Sequence, residues 1–102
     1  MEIVSKIHSQ GHNFFSYPFK VYYLEKSSET EKVLRIISVP KRNFKRAVKR
    51  NKIRRRTKEA IRLNDSFDFF ENYHILVVYI ANKILDYDSI YKSISAFSEK
   101  IS

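Results

Sequence analysis

The chain has 102 residues, with 20 Lys and Arg against 11 Asp and Glu, and a formal net charge of +9. This length predicts a single domain over residues 1–102, and a hydrophobic content of 43% excludes a disordered basic tail. The absence of Cys excludes disulfides and thiolate metal sites. Since no secretory signal or membrane-length apolar run is visible either, a cytoplasmic protein is expected.

Residues Glu2–Gln10 predict a short helix with a narrow apolar stripe. That stripe is formed by Ile3, Val4 and Ile7. Gly11 is expected in the left-handed conformation just past the helix end. His8 and His12 are four residues apart, as metal ligands on a helix can be. Because Gly11 interrupts the helix and no third ligand follows, no metal site is predicted.

Two strands are predicted next, Phe14–Leu24, entered through Pro18, and Val33–Val39. The polar segment Glu25–Lys32 between them is interpreted as a hairpin connection, and Pro40 ends the second strand. Alternation along the first strand gives two faces. One face carries Phe19, Val21 and Tyr23, and the other carries Lys20, Tyr22 and Leu24.

The segment Lys41–Arg62 holds twelve of the basic residues and one acid, Glu59, a net charge of +11 that leaves −2 for the rest of the chain. From Phe44 onward it lacks Gly and Pro and predicts a helix. The predicted buried face is Ala47, Ile53, Thr57, Ala60 and Ile61. The predicted outward face is Lys45, Lys49, Lys52, Arg55, Arg56 and Arg62. Between them lies a polar edge of Arg50, Asn51, Arg54 and Lys58.

The remainder predicts a loop, a strand and a helix. Asn64–Asn72 is an acidic, aromatic loop expected to pack Phe67, Phe69 and Phe70 on the core. Tyr73–Ala81 predicts a central strand covered on both faces, starting near His74, which is interpreted as a strand-end residue. Asp86–Ile101 predicts an amphipathic helix capped by Asp86 or Asp88. Its tyrosines are interpreted as packing residues. These elements predict a small α+β domain, with a parallel strand pair because a helix joins two strands.

The sequence contains no catalytic constellation, since a phosphate-cradling Gly-rich loop, a nucleophile elbow and paired carboxylates are all missing. The one-sided charge instead predicts an anionic partner, with nucleic acid favoured over a lipid surface. Aromatic residues near the basic helix favour unpaired RNA over duplex DNA. The spacing leads to the hypothesis that Tyr22 and the polar edge form one cleft with stacking and phosphate-binding groups.

The basic segment closely resembles the signature of the protein subunit of bacterial ribonuclease P. Its residues at the motif positions are most similar to those of Bacteroidetes members. The matching residues are Val39-Pro40-Lys41-Arg42, Phe44-Lys45-Arg46-Ala47-Val48, Arg50-Asn51-Lys52-Ile53-Arg54-Arg55 and Lys58-Glu59-Ala60. The resemblance covers nearly the whole chain. It implies a two-layer α+β domain of order α-β-β-β-α-β-α, ribosomal-protein-like, with the basic helix as the crossover.

The resemblance also implies an endoribonuclease holoenzyme whose RNA subunit carries the active site and its Mg²⁺, so this chain would hold no catalytic residue, metal or cofactor. Its implied partners are ribonuclease P RNA and precursor tRNA, with no membrane and no small-molecule substrate. The residues matching the 5′-leader side are Tyr22, Arg50, Asn51, Arg54 and Lys58. Those implied to face the catalytic RNA are Lys41, Arg42, Lys45, Arg46, Lys49, Lys52, Arg55 and Arg56.

Three positions depart from the family pattern. Lys52 and Lys58 stand where Arg is usual, and each keeps charge but loses a bidentate fork. His8 stands where a Phe is usual in the first helix, so one wall of the leader cleft is expected to differ. The alternative functions are a non-enzymic RNA-binding module, ribosomal or chaperone-like, and a binder of membranes or partner helices. The second is disfavoured because the basic helix has no large aromatic residues to insert into lipid.

Overall fold

The structure is a computed structural model that describes residues 2–64 and 71–101, with side chains from residue 5 to residue 100 within those ranges. The elements are α1 (Glu2–Gln10), β1 (His12–Ser16), β2 (Phe19–Glu25), β3 (Arg35–Ser38), α2 (Ala47–Arg62), β4 (Tyr73–Tyr79) and α3 (Tyr87–Ile101). This order confirms the α-β-β-β-α-β-α arrangement. The predicted packing of Phe67, Phe69 and Phe70 lies outside the described residues.

The first predicted strand is two strands, so the prediction of one continuous strand over Phe14–Leu24 is wrong. β1 and β2 pair antiparallel from His12 opposite Tyr23 to Ser16 opposite Phe19. The chain reverses at Tyr17–Pro18, which is joined by a cis peptide bond. Pro18 was the available signal for this turn, but strand-forming residues continue on both sides of it, so it was interpreted as the entry of a single strand.

The predicted hairpin between the second and third strands is also wrong, because β4 lies between them in a sheet of order β1-β2-β4-β3. β4 is antiparallel to β2 and parallel to β3, which confirms the expected parallel pair. Five of its seven residues are buried, as predicted for a central strand. The polar segment after β2 therefore carries the chain past β4 to the far edge of the sheet.

Buried His74 at the start of β4 helps to hold that segment. Its Nδ1 accepts a hydrogen bond of 3.1 Å from the Leu34 backbone N–H. Its Nε2 lies 3.5 Å from a carboxylate oxygen of Glu31, which is long for a hydrogen bond. The Glu31 carboxylate in turn accepts a hydrogen bond from the Ser27 backbone N–H, which lowers the pKa of Glu31. His74 is therefore a structural residue at a strand end, as predicted.

The two faces of β2 pack against different helices. Phe19 and Val21 are buried in the main core, which α2 closes with Ile53, Ala60 and Ile61 and α3 closes with its own apolar stripe. The Phe97 ring of α3 lies 5.7 Å from the ring of Tyr23 on this core face. The short α1 lies on the opposite face, where it contacts β2 and β4. The sheet and the α2–α3 pair thus form two layers, with α1 outside them.

Helix α2 begins at Ala47, three residues after the predicted start, and Ala47 is exposed rather than buried. Phe44 lies before the helix and is buried, with its ring 5.9 Å from that of Tyr79. The other predicted core residues of α2 are buried. Packing of Phe44 on the sheet holds the chain outside helical geometry there, which sequence propensity does not reveal.

Gly11 connects α1 to β1, and its φ is not positive, so the predicted left-handed conformation is wrong. The requirement for Gly is steric. A Cβ at this position would lie 2.3 Å from the Ile7 carbonyl oxygen and 2.7 Å from the Tyr23 carbonyl oxygen. The missing side chain therefore allows the end of α1 to approach β2 closely.

The helix Tyr87–Ile101 confirms the last predicted element. Asp86 is its cap, because its Oδ1 accepts a hydrogen bond of 2.8 Å from the Ser89 backbone N–H. This hydrogen bond holds the pKa of Asp86 below its usual value. Ile90, Ile94 and Phe97 are buried in the core, and Tyr87 and Tyr91 pack against it. The interpretation of these tyrosines as packing residues is therefore correct.

Candidate nucleic-acid interface

The N-terminus of α2 concentrates positive charge. Its N-cap residue is Arg46, and its first turn contains Lys49 and Arg50 but no acid. The dipole of the helix is also positive at this end, where basic residues are ordinarily disfavoured and anions are attracted. A basic sequence placed at a positive helix end is suited to an anionic partner, and its like charges repel one another without that partner.

An open groove of about 640 Å³ separates α2 from the edge strand β3. Its lining residues are Arg35, Ile37, Val48, Asn51, Arg54, Arg55 and Lys58. The structure thus brings together three of the four predicted polar-edge residues. Arg54 Nη1 also donates a hydrogen bond of 3.2 Å to Asn51 Oδ1, which orients the two side chains together. The groove therefore presents several cations with ordered polar groups.

Arg35 is a lining residue that the sequence prediction of the site missed. It occupies β3 in the same alternating set as Ile37, which packs against the core. A cation on an otherwise apolar strand face was the available signal. Pairing of β3 with the central strand places Arg35 at the sheet edge that faces α2, a position that the sequence did not reveal.

Arg50, the fourth polar-edge residue, bonds to backbone rather than lining the groove. Its Nη1 donates hydrogen bonds of 2.8 Å to the carbonyl oxygens of Phe44 and of Lys45. Both acceptors lie immediately before α2. Arg50 therefore ties the first turn of α2 to the preceding segment.

Tyr22 lies on the sheet face opposite the groove. Val21 and Ile37 are both paired with Val77, so they share the core face, and Tyr22 must point the other way. There its ring centroid is 4.7 Å from that of His8, and Lys20 Nζ lies 5.4 Å from the Tyr22 centroid. His8 thus places a ring beside Tyr22. Tyr22 and the groove thus lie on different faces of the sheet, so the hypothesis that Tyr22 and the polar edge form one cleft is wrong. The assignment of each of these residues to the leader stays a prediction.

The residues predicted to face the catalytic RNA are mostly exposed. Exposed members are Lys41, Arg42, Lys45, Arg46, Lys49, Lys52 and Arg55. Arg56 is only partly exposed, and its Nη1 donates a hydrogen bond of 2.7 Å to the Leu85 carbonyl oxygen. Arg56 therefore joins α2 to the segment before α3, while the other seven side chains are available to a partner.

A second open groove, of about 580 Å³, lies on the α3 side of α2. Its lining residues are Lys52, Arg55, Arg56, Lys58, Glu59, Arg62 and Tyr87. Hydrogen bonds from Arg62 lower the pKa of Glu59. The only acid of the basic segment is thus paired within its own helix turn, and the lining of the groove keeps an excess of cations over acids.

No metal-binding chemistry emerges in the part of the chain that the structure describes, where no three His, Cys, Asp or Glu side chains form a candidate site. His8 and His12 contact the rings of Tyr22 and Tyr23 respectively. Within residues 2–64 and 71–101, no helix combines the length and apolarity that a membrane span requires. The fold and the arrangement of charge define a small, basic α+β domain of the kind that binds nucleic acid.

Comparison with known proteins identifies the family. A family profile described as Ribonuclease P matches residues 4–102. The ribonuclease P protein component of Porphyromonas gingivalis is 37% identical over 62 residues, which cover 60% of this chain and 45% of that protein. The chain therefore matches less than half the length of this curated relative. Because the family profile spans nearly all of its residues, the chain belongs to the ribonuclease P protein family.

Solved structures show the same fold. The RNase P protein of Staphylococcus aureus is 24% identical and superimposes with a TM-score of 0.71, covering 98% of this chain and 88% of that one. The RNase P protein of Thermotoga maritima is 16% identical and gives a TM-score of 0.79, covering 97% of this chain and 91% of that one. At these identities the likeness establishes the fold alone.

Proposed function

We propose that this chain is the protein subunit of ribonuclease P and that it assists removal of the 5′ leader from precursor tRNA in the cytoplasm. It acts as one RNA-binding domain over residues 1–102. Phosphodiester hydrolysis takes place in the RNA subunit, which holds the Mg²⁺, and the protein contributes no catalytic residue and no cofactor. The observation that carries the proposal is the family match over residues 4–102, together with a motif helix that presents cations on two sides.

The exposed cations of α2 are suited to neutralising RNA phosphates. Seven exposed cations lie between Lys41 and Arg55, on the helix and immediately before it. Each cation that replaces a condensed counterion adds a salt-dependent increment to RNA affinity. We assign this outward surface, including the partly exposed Arg56, to the catalytic RNA, because a structured RNA offers phosphates over a wide area.

Leader recognition is assigned to Tyr22, Arg50, Asn51, Arg54 and Lys58. Asn51, Arg54 and Lys58 line the groove beside β3, where amide and cationic groups suit a phosphodiester strand. Tyr22 offers an aromatic ring on which an unpaired base can stack. Arg50 supports this arrangement by fixing the start of α2. Arg35 adds a groove cation from the sheet.

The decisive experiment is cleavage of a precursor tRNA by a bacterial ribonuclease P RNA at low Mg²⁺, with and without the protein. The proposal predicts that the protein restores cleavage at the mature 5′ end. The matched control is a variant with Arg54→Gln and Lys58→Gln, which should still bind the RNA subunit. For precursors with a leader, this variant should increase cleavage over that by the RNA alone less than the unmodified protein does.

An outcome without rescue would contradict the proposal, provided that a cognate RNA subunit had also been tried. If tight, salt-sensitive RNA binding persisted without rescue, the chain would be a non-enzymic RNA-binding module. Equal effects of the double variant on precursor and on leaderless tRNA would contradict the leader assignment while leaving the subunit role intact. Measuring the affinity of the assembled holoenzyme for precursor tRNA and for leaderless tRNA separates these outcomes.

A further inference from the structure

The outer face of the β1–β2 hairpin carries an aromatic ring that packing does not explain. Phe15 is 61% exposed. Its neighbour Phe14 points to the core, with its ring 6.0 Å from that of Phe97. Alternation along β1 therefore sends Phe14 inward and Phe15 outward. A single exposed aromatic residue is common on protein surfaces, so exposure alone assigns no role.

The register of the hairpin gives Phe15 specific neighbours. Phe15 is directly opposite Lys20, and Asn13 is directly opposite Tyr22. Directly opposed residues share a face, so Phe15, Lys20 and Tyr22 all lie on the face turned away from the core. Phe15 and Tyr22 are diagonal neighbours, for which a spacing of about 7–8 Å is typical. Two rings and one cation thus form a row across the hairpin.

This row continues to α1. The His8 ring packs at 4.7 Å from Tyr22, and Lys20 Nζ lies 5.4 Å from the centroid of Tyr22. His8 and Lys20 both contact Tyr22, which orients that ring, whereas Phe15 at the edge strand keeps an exposed ring. The order along the face is His8, Tyr22, Lys20 and Phe15. We call these four residues the hairpin platform.

We propose that Phe15 is a base-stacking residue, and that the hairpin platform holds successive unpaired nucleotides of the precursor tRNA leader beyond Tyr22. Sheet-face aromatics are a general means of binding single-stranded RNA, because every base has a π face. Lys20, between the two rings, is placed to neutralise a phosphate of the same strand. This inference rests on the proposed function for the identity of the strand.

Charge favours RNA over the other occupants of such a face. The hairpin platform contributes the cation of Lys20 and no acid, and the chain as a whole carries a net charge of +9 that is concentrated in Lys41–Arg62. A second copy of this chain would bring like charge to the contact. Hairpin-platform residues are also too few to supply the apolar area of a stable protein interface, which buries roughly 800 Å² on each partner.

The first test measures binding of the protein alone to a labelled single-stranded RNA, comparing Phe15→Leu with Phe15→Tyr. Leu keeps an apolar side chain but removes the ring, whereas Tyr keeps the ring. We expect Phe15→Leu to weaken binding by about fivefold or more, as stacking of one base on an aromatic ring predicts. Phe15→Tyr should bind as the unmodified protein does. Lys20→Gln should lower the log–log salt slope by about 0.7.

A duplex of the same sequence is the matched ligand control, since paired bases cannot stack on the ring. The difference between Phe15→Leu and the unmodified protein should vanish with it. Because Phe15 is exposed, both variants should melt at the same temperature as the parent. Single-stranded binding by Phe15→Leu equal to that of the parent would overturn the proposal. Self-association of the parent that Phe15→Leu abolishes would likewise overturn it, by making the face an interface between copies.

The second test uses the assembled holoenzyme and precursor tRNAs with leaders of increasing length. The affinity of the parent holoenzyme for precursor tRNA should rise when the leader becomes long enough to reach Phe15. The Phe15→Leu holoenzyme should lack that rise and should bind precursors with short leaders as tightly as the parent does. An unchanged increment would sink the leader assignment of Phe15. If the protein fails to restore cleavage but Phe15→Leu still weakens single-strand binding, the proposed function fails and the stacking role stands.

Discussion

Two arginines of the same motif, four residues apart, have different partners in this structure. Arg50 donates from Nη1 to two backbone carbonyls that precede α2. Arg54 bonds to a side chain, Asn51, and lines the groove beside β3. Arg50 is therefore a positioning residue for the motif as well as an assigned leader contact, whereas Arg54 is available to a ligand. Sequence spacing placed both on one edge without separating these roles.

Substituting Arg50 should test this division. Arg50→Lys keeps the charge, but its shorter side chain cannot place a nitrogen at the position of Nη1, from which both carbonyls are bonded. We therefore expect a loss of about 1–2 kcal/mol in the free energy of unfolding. Arg54→Lys should change that free energy by less than about 0.5 kcal/mol. Urea titration followed by circular dichroism measures both. Equal stability of the two variants would contradict a structural role for Arg50.

The glycine after α1 allows a second test at this scale. Gly11→Ala would place a Cβ 2.3 Å from the Ile7 carbonyl oxygen and 2.7 Å from the Tyr23 carbonyl oxygen of β2, so the end of α1 would have to move away from β2. Overpacking of this kind typically costs about 1–3 kcal/mol. The matched control is Ser9→Ala on the exposed side of α1, which should cost less than about 1 kcal/mol because it loses only one exposed hydrogen bond, to the Ser5 carbonyl oxygen. Thermal unfolding of the three proteins would show whether Gly11 is required.

At the scale of the element, α2 combines a buried stripe with cations around the rest of its surface. The stripe packs against the core and consists of Ile53, Thr57, Ala60 and Ile61. Thr57 Oγ1 donates a hydrogen bond of 2.8 Å to the Ile53 carbonyl oxygen. Packing therefore supplies the stability that charge repulsion along the helix opposes. The cost of concentrating charge is recovered when an anionic partner neutralises it.

The charge on α2 should be visible as a salt dependence of RNA binding. If Lys49 contacts a phosphate, Lys49→Gln should reduce the log–log slope of affinity against salt by about 0.7–0.9. Lys100→Gln, in the last turn of α3, removes the same charge from a helix outside the proposed interface and should leave the slope unchanged. Filter binding to ribonuclease P RNA over a range of KCl concentrations measures both slopes. Equal slope changes would indicate that net charge, not the position of the charge, sets affinity.

For the whole molecule, β4 is the central organising strand. It pairs with β2 on one side and β3 on the other, and its core-facing residues contact both α2 and α3 through one cluster. The chain between β3 and β4 contains α2, so the parallel pair fixes where the basic helix lies against the sheet. Damage to β4 should consequently affect every part of the interface together.

Ile75→Ala tests that cooperativity. Ile75 is 1% exposed at the centre of the sheet, and truncating a buried Ile to Ala typically costs about 2–5 kcal/mol. Because the chain contains no Trp, unfolding is followed by tyrosine fluorescence and by circular dichroism. We expect both probes to report a single transition with the same lowered midpoint. Val48→Ala, at a position that is 76% exposed on α2, should change the free energy of unfolding by less than about 0.5 kcal/mol. Separate transitions for the two probes would contradict a single cooperative domain.

The amino-acid sequence determined the local and chemical features of this protein. Hydrophobic periodicity located α1, the buried stripe of α2, the central strand and α3, because each pattern reflects which side chains must leave water. The concentration of charge in Lys41–Arg62 pointed to an anionic partner, and the motif spacing pointed to the family. These inferences needed only neighbours in sequence, where helix and strand geometry fix which side chains share a face.

The tertiary structure alone decided what depends on distant parts of the chain. The reversal at Tyr17–Pro18, the insertion of β4 between β2 and β3, and the meeting of Arg35 with α2 all arise from long-range pairing. The same pairing put Tyr22 and Phe15 on one face and the α2 groove on the other. Local patterns cannot specify such contacts, because strand order and edge position are set by how the whole core closes.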